Sequence, residues 1–364
     1  MVISVNHTEA KPGKSSNEDK WGTTWVRPPR KEATVAATKE TPRKIILDLD
    51  TGIDDTLALS YVLASPEAEL IGITGTYGNV VVEQGVANDL NLLAMYGRDD
   101  VPVFKGIDHP STTDSFSVPP DSEIFHGANG TGNIEIPAHS DRKAQEESSV
   151  DFIIESVRRY PKEELAIVPT GALTTIAAAL EKAPDIVDKI RIVLMGGSLT
   201  QPGNVGPFAE ANINQDPEAA NKVFATTADI TMVGLDVTTQ VQMSREDTES
   251  LRGTGTAIGQ FLADMTDYYI NITEQEEGVF LGGCNLHDPL AAAVAIDPSL
   301  VTTFATNLMV ETEGPQRART IGDPNRLTDK TKNTKVALSV DAERFTSQFM
   351  ERLMSLATGQ TTER

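Results

Sequence analysis

The chain of 364 residues is poor in several features that mark particular classes of protein. Its single cysteine, Cys284, excludes an internal disulfide framework and suits a reducing compartment. The sequence has no run of 18 apolar residues, so we expect no transmembrane helix. The N-terminal stretch Met1–His7 is too short for the apolar segment of a secretory signal peptide. Together these absences predict a soluble, cytoplasmic protein.

Positive charge is also scarce. Lys and Arg number 31 against 53 Asp and Glu, which gives a formal net charge of −22. Nucleic acids and anionic membranes attract basic surfaces, so this balance predicts that neither is a partner. The hydrophobic content of 39% is enough for a sizeable core, and the length permits one large α/β domain or two smaller ones.

Residues 1–42 differ in composition from the rest of the chain. They are rich in Pro, Ser, Thr, Lys and Glu and show no apolar periodicity, which is typical of disorder. We therefore predict a disordered tail over residues 1–42 and a folded domain over residues 43–364. A mitochondrial presequence is the alternative for the tail, but Glu9, Glu18, Asp19 and Glu32 conflict with the acid-poor composition of such signals.

After the tail, strand-like and helix-like segments alternate. This order predicts an α/β fold with an open, mostly parallel sheet flanked by helices in a single domain. Strands are predicted at Ile45–Asp48, Glu69–Thr74, Val101–Phe104, Leu165–Pro169, Ile190–Met195 and Ile230–Leu235. Helices are predicted at Thr56–Ala64, Glu83–Tyr96, Val150–Tyr160, Leu173–Lys182 and Pro217–Thr226. The segment Lys105–Lys143 has no clear periodicity, and loops of that length usually carry function, so we interpret it as a lid or substrate-binding segment.

Four carboxylates lie within eight residues, between the first predicted strand and its helix: Asp48, Asp50, Asp54 and Asp55. Parallel α/β sheets bind ligands at the carboxyl ends of their strands, which is where this loop lies. One Asp at a helix start is usually a cap, but four together are poorly explained by capping. Because like charges repel, the cluster requires shared protons or a bound cation, and a hard cation with oxygen ligands is the simpler solution.

Polar residues also follow other predicted strands, in the segments Thr76–Asn79, Pro169–Thr174 and Met195–Ser198, and a further polar segment, Asn285–Pro289, comes much later. Turns often recruit such residues singly for backbone reasons. Their recurrence at successive strand ends predicts a ligand-binding crevice beside the acidic loop.

The ordered set of motifs resembles the inosine/uridine-preferring nucleoside hydrolase family from about Arg43 to the C-terminus. The motifs are Asp48–Asp55, Gly78-Asn79, Pro169–Thr174, Met195–Gly197, Gly203–Asn212 and His287–Pro289. The resemblance implies a Rossmann-like nucleoside hydrolase fold. It also implies Ca²⁺-dependent hydrolysis of the N-glycosidic bond of ribonucleosides to free base and ribose, and a homodimer or homotetramer.

The resemblance further implies roles for individual residues. Ca²⁺ would be held by Asp50, Asp55, the backbone carbonyl of Thr170 and Asp288. Asp50 would be the general base and His287 the acid that protonates the leaving base. The substrate-binding residues would be Asp54, Asn79, Glu210 and Asn212 at the ribose hydroxyls, Met195 and Asn204 in the sugar pocket, and His126 nearby. Asp48 would orient the metal loop from behind.

The chain departs from the family pattern in places. Thr51 stands where proline is usual, Ala211 stands where an aromatic residue is common, and the Met195–Asn204 spacing is one residue longer. Tyr268 and Tyr269 are the candidates for contacts with the base. None of these positions is an implied metal ligand, so the departures bear on which base is preferred rather than on hydrolysis.

Two other functions fit parts of the sequence. Asp48-Leu-Asp50 also resembles the first motif of haloacid-dehalogenase-like phosphatases, with Asp48 as nucleophile, Asp50 as acid/base and Mg²⁺ as cofactor. That alternative leaves the Asp54-Asp55 doublet and His287–Pro289 unexplained. The other is a non-catalytic ribose- or nucleoside-binding protein with the same pocket, which the intact set of acidic residues disfavours.

Overall fold

The computed structural model describes residue 38, residues 41–277 and residues 282–359. The predicted tail, residues 1–42, lies almost entirely outside the described residues, so its disorder stays a prediction. The strands are β1 Arg43–Leu49, β2 Ala68–Gly75, β3 Val103–Lys105, β4 Leu165–Pro169, β5 Arg191–Met195, β6 Asp229–Val233, β7 Gln242–Ser244, β8 Gly283–Asn285, β9 Val301–Thr306, β10 Leu308–Val310, β11 Thr320–Gly322 and β12 Thr334–Val340.

The helices alternate with these strands through the first two thirds of the chain. They are α1 Ile53–Ala64, α2 Val82–Met95, α3 Pro120–His126, α4 Ser149–Arg159, α5 Thr174–Lys182, α6 Ala211–Gln215, α7 Pro217–Ala225, α8 Leu235–Thr238, α9 Arg245–Arg252, α10 Ala257–Glu277, α11 His287–Ile296 and α12 Ala342–Thr358. In the part of the chain that the structure describes, none of these helices combines the length and apolarity needed to cross a bilayer.

The central sheet has eight strands in the order β3-β2-β1-β4-β5-β6-β12-β9. All neighbours are parallel except β9, which is antiparallel to β12. The chain moves outward from β1 to β3 on one side and from β4 to β6 on the other, so the order reverses between β1 and β4. Open α/β sheets form a ligand crevice at the carboxyl ends of the strands beside such a reversal. The predicted α/β fold with a mostly parallel sheet in a single domain is confirmed.

The sheet separates two hydrophobic cores because successive side chains of a strand point to opposite faces. In β1, Ile45 and Leu47 pack with α1, α2, α10, α11 and α12, whereas Ile46 packs on the other face with α4, α5 and α7. Both faces of β1 are therefore buried, which explains why its sequence is continuously apolar rather than alternating.

The predicted strands and helices are observed, with shifts at their ends. The strand predicted from Val101 begins at Val103, because Pro102 has no amide hydrogen and contributes only its carbonyl, which accepts from the Ile73 amide at 3.0 Å. The strand predicted to reach Leu235 ends at Val233, and Leu235 starts α8. The first helix begins three residues earlier than predicted, at Ile53.

Some elements were not predicted. The segment Lys105–Lys143 is not entirely irregular, because it contains α3, a helix of seven residues that begins at Pro120. The helices and strands after β6 also lack a prediction. Four of these strands, β7, β8, β10 and β11, have three residues each and give no readable alternation.

Candidate active site

The acidic loop joins β1 to α1 in three residues, and its carboxylates are withdrawn from solvent. Asp48, Asp50 and Asp55 are at most 1% exposed, and Asp54 is 7% exposed. Asp55 Oδ2 accepts a hydrogen bond from the Gly52 amide at 2.9 Å, which closes the first turn of α1. Asp54 and Asp55 both lie in that first turn.

Residues that follow β2 and β4 hold these carboxylates in place. The Asn79 amide donates to Asp50 Oδ2 at 2.7 Å, and Asn79 Nδ2 donates to Asp55 Oδ2 at 3.1 Å. Thr170 Oγ1 donates to Asp55 Oδ1 at 2.6 Å. The polar strand ends that the sequence singled out therefore converge on the acidic loop. Asp48 is held separately, by the Thr74 hydroxyl at 2.6 Å, and burial raises its pKa to about 7.

Asp288 reaches the same place from the first turn of α11. One oxygen each of Asp54, Asp55 and Asp288 lies within 4.8 Å of the others. Asp50 is not a member of this trio, although the neighbouring Asp54 and Asp55 carboxylates add to burial in raising its pKa well above the usual range. The structure thus brings the late motif His287–Pro289 to the loop at the start of the domain.

Several oxygens of this cluster have no hydrogen-bond partner among the described residues. They are buried and belong to four carboxylates: Asp48 Oδ2, Asp50 Oδ1, Asp54 Oδ1 and Asp288 Oδ1. Burial, then the charge of Asp55, raises the pKa of Asp54 to about 7, and burial with the charge of Asp54 raises that of Asp288. Orphaned buried oxygens are costly unless a proton or cation satisfies them. An all-oxygen donor set of this kind fits a hard divalent cation.

A cavity of about 730 Å³ opens beside the cluster. Each substrate-binding residue that the resemblance implied lines it: Asp54, Asn79, His126, Met195, Asn204, Glu210 and Asn212. Thr170, His287 and Asp288 line it as well. Pro119, Asp121, Ser122 and Phe125 contribute from the long segment, so part of that segment forms a wall of the site. Another groove, of about 820 Å³, shares no residue with the acidic loop.

One wall of the cavity is ordered by Glu210, which caps α6. Its Oε1 accepts from the Asn212 amide at 2.9 Å, and its Oε2 accepts from the amides of Gly197 at 2.7 Å and Ile213 at 3.1 Å. Asn212 Nδ2 donates to the Met195 carbonyl at 3.3 Å. Three backbone amides therefore fix the Glu210 carboxylate at the cavity wall.

Two histidines face the cavity, and burial keeps both neutral near pH 7. Nδ1 of His126 accepts from the Ile53 amide at 3.2 Å, so the ring proton of the neutral form is on Nε2. His126 lies beside Asp54, with 3.9 Å between Nδ1 and Oδ1, and burial lowers its pKa to about 3. Nδ1 of His287 is 2.8 Å from Thr238 Oγ1, and burial lowers its pKa to about 4.

The two neighbouring tyrosines of α10 have different surroundings. Tyr269 lines the cavity, with its ring centroid 5.6 Å from that of His126. Tyr268 instead donates its hydroxyl to the Ile124 carbonyl at 2.9 Å. Thr273, one turn after Tyr269, also lines the cavity, as do Gln242 and Asn285. Thr273 and Gln242 belong to none of the sequence motifs, and only the position of Thr273 one helical turn after Tyr269 could have indicated that it faces the cavity.

The chain is similar to known proteins over most of its length. The family described as inosine-uridine preferring nucleoside hydrolase matches residues 45–347. Uridine nucleosidase 1 of Arabidopsis thaliana is 37% identical over 272 residues, which cover 74% of this chain and 79% of that protein. The inosine-uridine preferring nucleoside hydrolase of Leishmania major is 35% identical over 306 residues, covering 84% and 95%. The solved purine-preferring ribonucleoside hydrolase from Gardnerella vaginalis is 57% identical, with a TM-score of 0.84, over 87% of this chain and 99% of that one.

Proposed function

The chain belongs to the inosine-uridine preferring nucleoside hydrolase family and is an N-glycosyl hydrolase of ribonucleosides, and we propose that it uses Ca²⁺, with Asp50 as general base and His287 as leaving-group acid. Membership of this family decides against the phosphatase alternative. The single observation that carries the proposal is a set of buried carboxylate oxygens without partners among the described residues, which come from the start and the late part of the domain and meet beside a cavity.

The cation would be held by Asp50, Asp55, Asp288 and the backbone carbonyl of Thr170. When bound, a divalent cation neutralises the repulsion among the carboxylates, lowers the pKa of a coordinated water and orients vicinal hydroxyls. Calcium suits the site because it accepts many oxygen ligands in a flexible geometry, which leaves room for substrate.

Asp50 is supported as the base by the difference between its two oxygens. Oδ2 accepts the Asn79 amide at 2.7 Å, whereas Oδ1 is buried without a partner among the described residues. The amide therefore orients the carboxylate and leaves Oδ1 to take a proton from the attacking water.

The sugar side is suited to a positively charged ribosyl group. Cleavage of the glycosidic bond develops positive charge on the ribose, and the buried carboxylates beside the cavity would stabilise it. Asp54, Asn79 and Asn212 line the cavity where they could hydrogen-bond the ribose hydroxyls. Because these bonds would use the 2′-hydroxyl, we expect a 2′-deoxyribonucleoside to be a poor substrate.

His287 would serve the departing base as a neutral imidazole. If Thr238 Oγ1 donates to Nδ1, the ring proton lies on Nε2 and can be given to the base as it takes up negative charge. His126 presents a second Nε2 hydrogen to the cavity, since its Nδ1 accepts from Ile53. Both donors are available at neutral pH because neither ring is charged there.

We also propose that purine ribonucleosides are preferred and that the protein is a cytoplasmic homodimer or homotetramer. The purine preference is supported by the 57% identity to the ribonucleoside hydrolase of Gardnerella vaginalis, which is described as purine-preferring. Light scattering coupled to size-exclusion chromatography and cell fractionation would test the assembly and its location.

The activity and its cofactor can be tested together. The purified full chain would be dialysed against a chelator, assayed for ribose release with inosine, guanosine, adenosine, uridine, cytidine and 2′-deoxyinosine, and assayed again after Ca²⁺ is restored. We expect faster release from purine ribonucleosides, little from 2′-deoxyinosine, loss after chelation and recovery with Ca²⁺. Nucleoside binding without ribose release would instead favour the non-catalytic binding protein. Turnover unaffected by chelation would refute the cofactor.

A further inference from the structure

Thr51 lies inside the acidic loop, next to Asp50, at the position where the family resemblance leads one to expect proline. It is fully buried, and its hydroxyl donates to Asp89 Oδ1 on α2 at 2.7 Å. Asp89 is itself fully buried. Proline has no hydroxyl and could not make this bond, so the chain holds its acidic loop by a contact that the usual motif lacks.

Asn88, the residue before Asp89, also contacts Thr51, but it binds the backbone of Thr51 rather than its side chain. Asn88 Nδ2 donates to the Thr51 carbonyl at 3.3 Å and to the Asn129 carbonyl at 2.8 Å. Its Oδ1 accepts from Gln84 Nε2, one turn earlier on α2, at 2.9 Å. The Gln84 contact fixes which way the amide faces, and both amide hydrogens are then directed to carbonyls of two different loops.

The second of these loops, residues 127–134, directly follows α3 and therefore His126. Its Gly130 packs on Thr51, since a Cβ atom at Gly130 would lie 2.6 Å from the Thr51 carbonyl oxygen. On the other side of the acidic loop, the Ile53 amide donates to His126 Nδ1 at 3.2 Å. The acidic loop therefore contacts Gly130 through Thr51 and His126 through Ile53, the two residues that flank Gly52. Asn88 adds hydrogen bonds from α2 to both loops.

We propose that Asn88 and Asp89 are positioning residues for hydrolysis. By holding Thr51 from α2, they fix the carboxylates of Asp50 and Asp55 relative to each other and to the imidazole of His126. Neither residue is among the described residues that line the cavity, so they act through the loops rather than on the substrate. This inference rests on the proposed function, because the groups it positions are the proposed ligands and base.

The helix also offers a matched control. Asn91, three residues after Asn88 on α2, accepts the Ser140 amide on its Oδ1 at 2.9 Å and so also ties the long segment to α2, but it does not touch the acidic loop. Asn91→Ala therefore removes one bond between α2 and the long segment without removing a contact to Thr51. Thr51→Val is a second test variant, since it deletes the hydroxyl bonded to Asp89 with little change in volume.

Three measurements on the full chain separate positioning from general stability. They are the dissociation constant for Ca²⁺ alone by titration calorimetry, kcat and KM for inosine and for nitrophenyl riboside, and amide hydrogen exchange over residues 126–134 without added cation. All are made below the unfolding temperature of each variant. Misplacement of catalytic groups by about 1 Å can cost about a hundredfold in rate, so losses of at least about tenfold are expected.

We expect Asn88→Ala and Thr51→Val to weaken Ca²⁺ binding and to lower kcat/KM for both substrates by at least about tenfold. Asn88→Ala should also speed exchange over residues 126–134, whereas Asn91→Ala stays within about twofold of wild type in all three measurements. If Asn88→Ala matches Asn91→Ala in Ca²⁺ affinity and in exchange over residues 126–134, the inference is overturned. A wild-type chain that neither binds Ca²⁺ nor releases ribose would refute the proposed function instead, and the exchange comparison would still decide the role of Asn88.

Discussion

Asp48 and Asp50 are two residues apart at the end of β1, yet their surroundings suit them to different tasks. Asp48 accepts the Thr74 hydroxyl inside the sheet, and burial raises its pKa to about 7. Asp50 lies beyond the strand, accepts an amide from Asn79 and keeps one buried oxygen without a partner in the described chain. Environment rather than residue type therefore assigns the roles of these carboxylates.

We predict that Asp50→Asn lowers kcat for inosine by about a thousandfold or more while the protein stays folded, because an amide cannot take a proton and general-base catalysis contributes about 10²–10⁴-fold. Asp48→Asn keeps the shape of its side chain and should retain most of the activity. Ribose release by both variants, with circular dichroism as the control for folding, provides the test. A larger loss in Asp48→Asn would contradict the mechanism, since that order is the one a phosphatase-like nucleophile requires.

A second residue-scale prediction concerns His287. His287→Ala should lower kcat for inosine by at least about a hundredfold, because the purine leaves as a poorly stabilised anion unless it receives a proton. The nitrophenyl riboside should lose much less, since nitrophenolate leaves without help. Both substrates carry the same ribose, so comparing them in one variant controls for any effect of the substitution on ribose binding. Equal losses on both would argue against proton donation.

At the residue scale, site residues that belong to a sequence motif could be predicted, whereas contacts between residues from different segments could not. The acidic loop and each implied substrate-binding residue could be named, and the implied substrate-binding residues line the cavity. Which of Tyr268 and Tyr269 faces it could not be named, because adjacent helix residues point about 100° apart and the sequence does not show the orientation of α10. Asn88 was missed for a similar reason, since nothing in its own segment shows that it contacts Thr51.

The turn after β2 matters at the scale of elements because it brings Asn79 to the acidic loop. Its Gly78 lies so close to Asp50 that an added Cβ would sit 2.0 Å from Oδ2. No side chain fits there without displacing either the turn or the carboxylate. The path of the chain between β2 and α2 therefore depends on this glycine.

We predict that Gly78→Ala lowers kcat/KM for inosine and Ca²⁺ affinity by at least about tenfold, although it removes no chemical group, because it pushes Asp50 from its place. Gly206→Ala is the matched control, since an added Cβ there meets nothing within 4 Å. Kinetics and calorimetry on both variants make the comparison. If Gly78→Ala is as active as Gly206→Ala, the position of the Asp50 carboxylate does not limit kcat/KM, and the prediction is wrong.

The accuracy with which a helix or strand could be predicted depended on the pattern of apolar residues in its sequence. The buried parallel strands β1, β2, β4 and β5 form apolar runs that were located to within one or two residues. The helix α11, His287–Ile296, has nine buried residues and no polar face, so it gives no amphipathic signal. Its first turn, which carries His287 and Asp288, was found from the motif instead.

At the scale of the whole molecule, the topology itself assembles the proposed cation site. Asp288 joins Asp54 and Asp55 although more than 230 residues separate them in the chain. The folded protein thus confines like charges that are far apart in the unfolded chain. Part of its folding free energy is spent on this confinement when no cation is present.

This confinement predicts how stability depends on pH and Ca²⁺. Burial raises the pKa of Asp54 to about 7 and raises those of Asp50 and Asp288, whereas an unfolded carboxyl titrates near its usual value of 3.8. Between these values the folded state binds more protons than the unfolded state, so these groups reduce the free energy of unfolding as pH rises from about 4 to 7. A cation binds the ionised form and has to displace protons below about pH 7.

We therefore expect the increase in unfolding temperature produced by a fixed Ca²⁺ concentration to be small at pH 5 and several degrees larger at pH 8. Taking the difference between chelated and Ca²⁺-loaded full chain at each pH cancels the titration of surface carboxylates. Asp288→Asn should abolish most of the increment, because it replaces a charged carboxylate with a neutral amide, which is a weaker ligand, and removes one of the repelling charges. An increment that is equal at both pH values, or that persists in Asp288→Asn, would show that Ca²⁺ stabilises the protein at some other place.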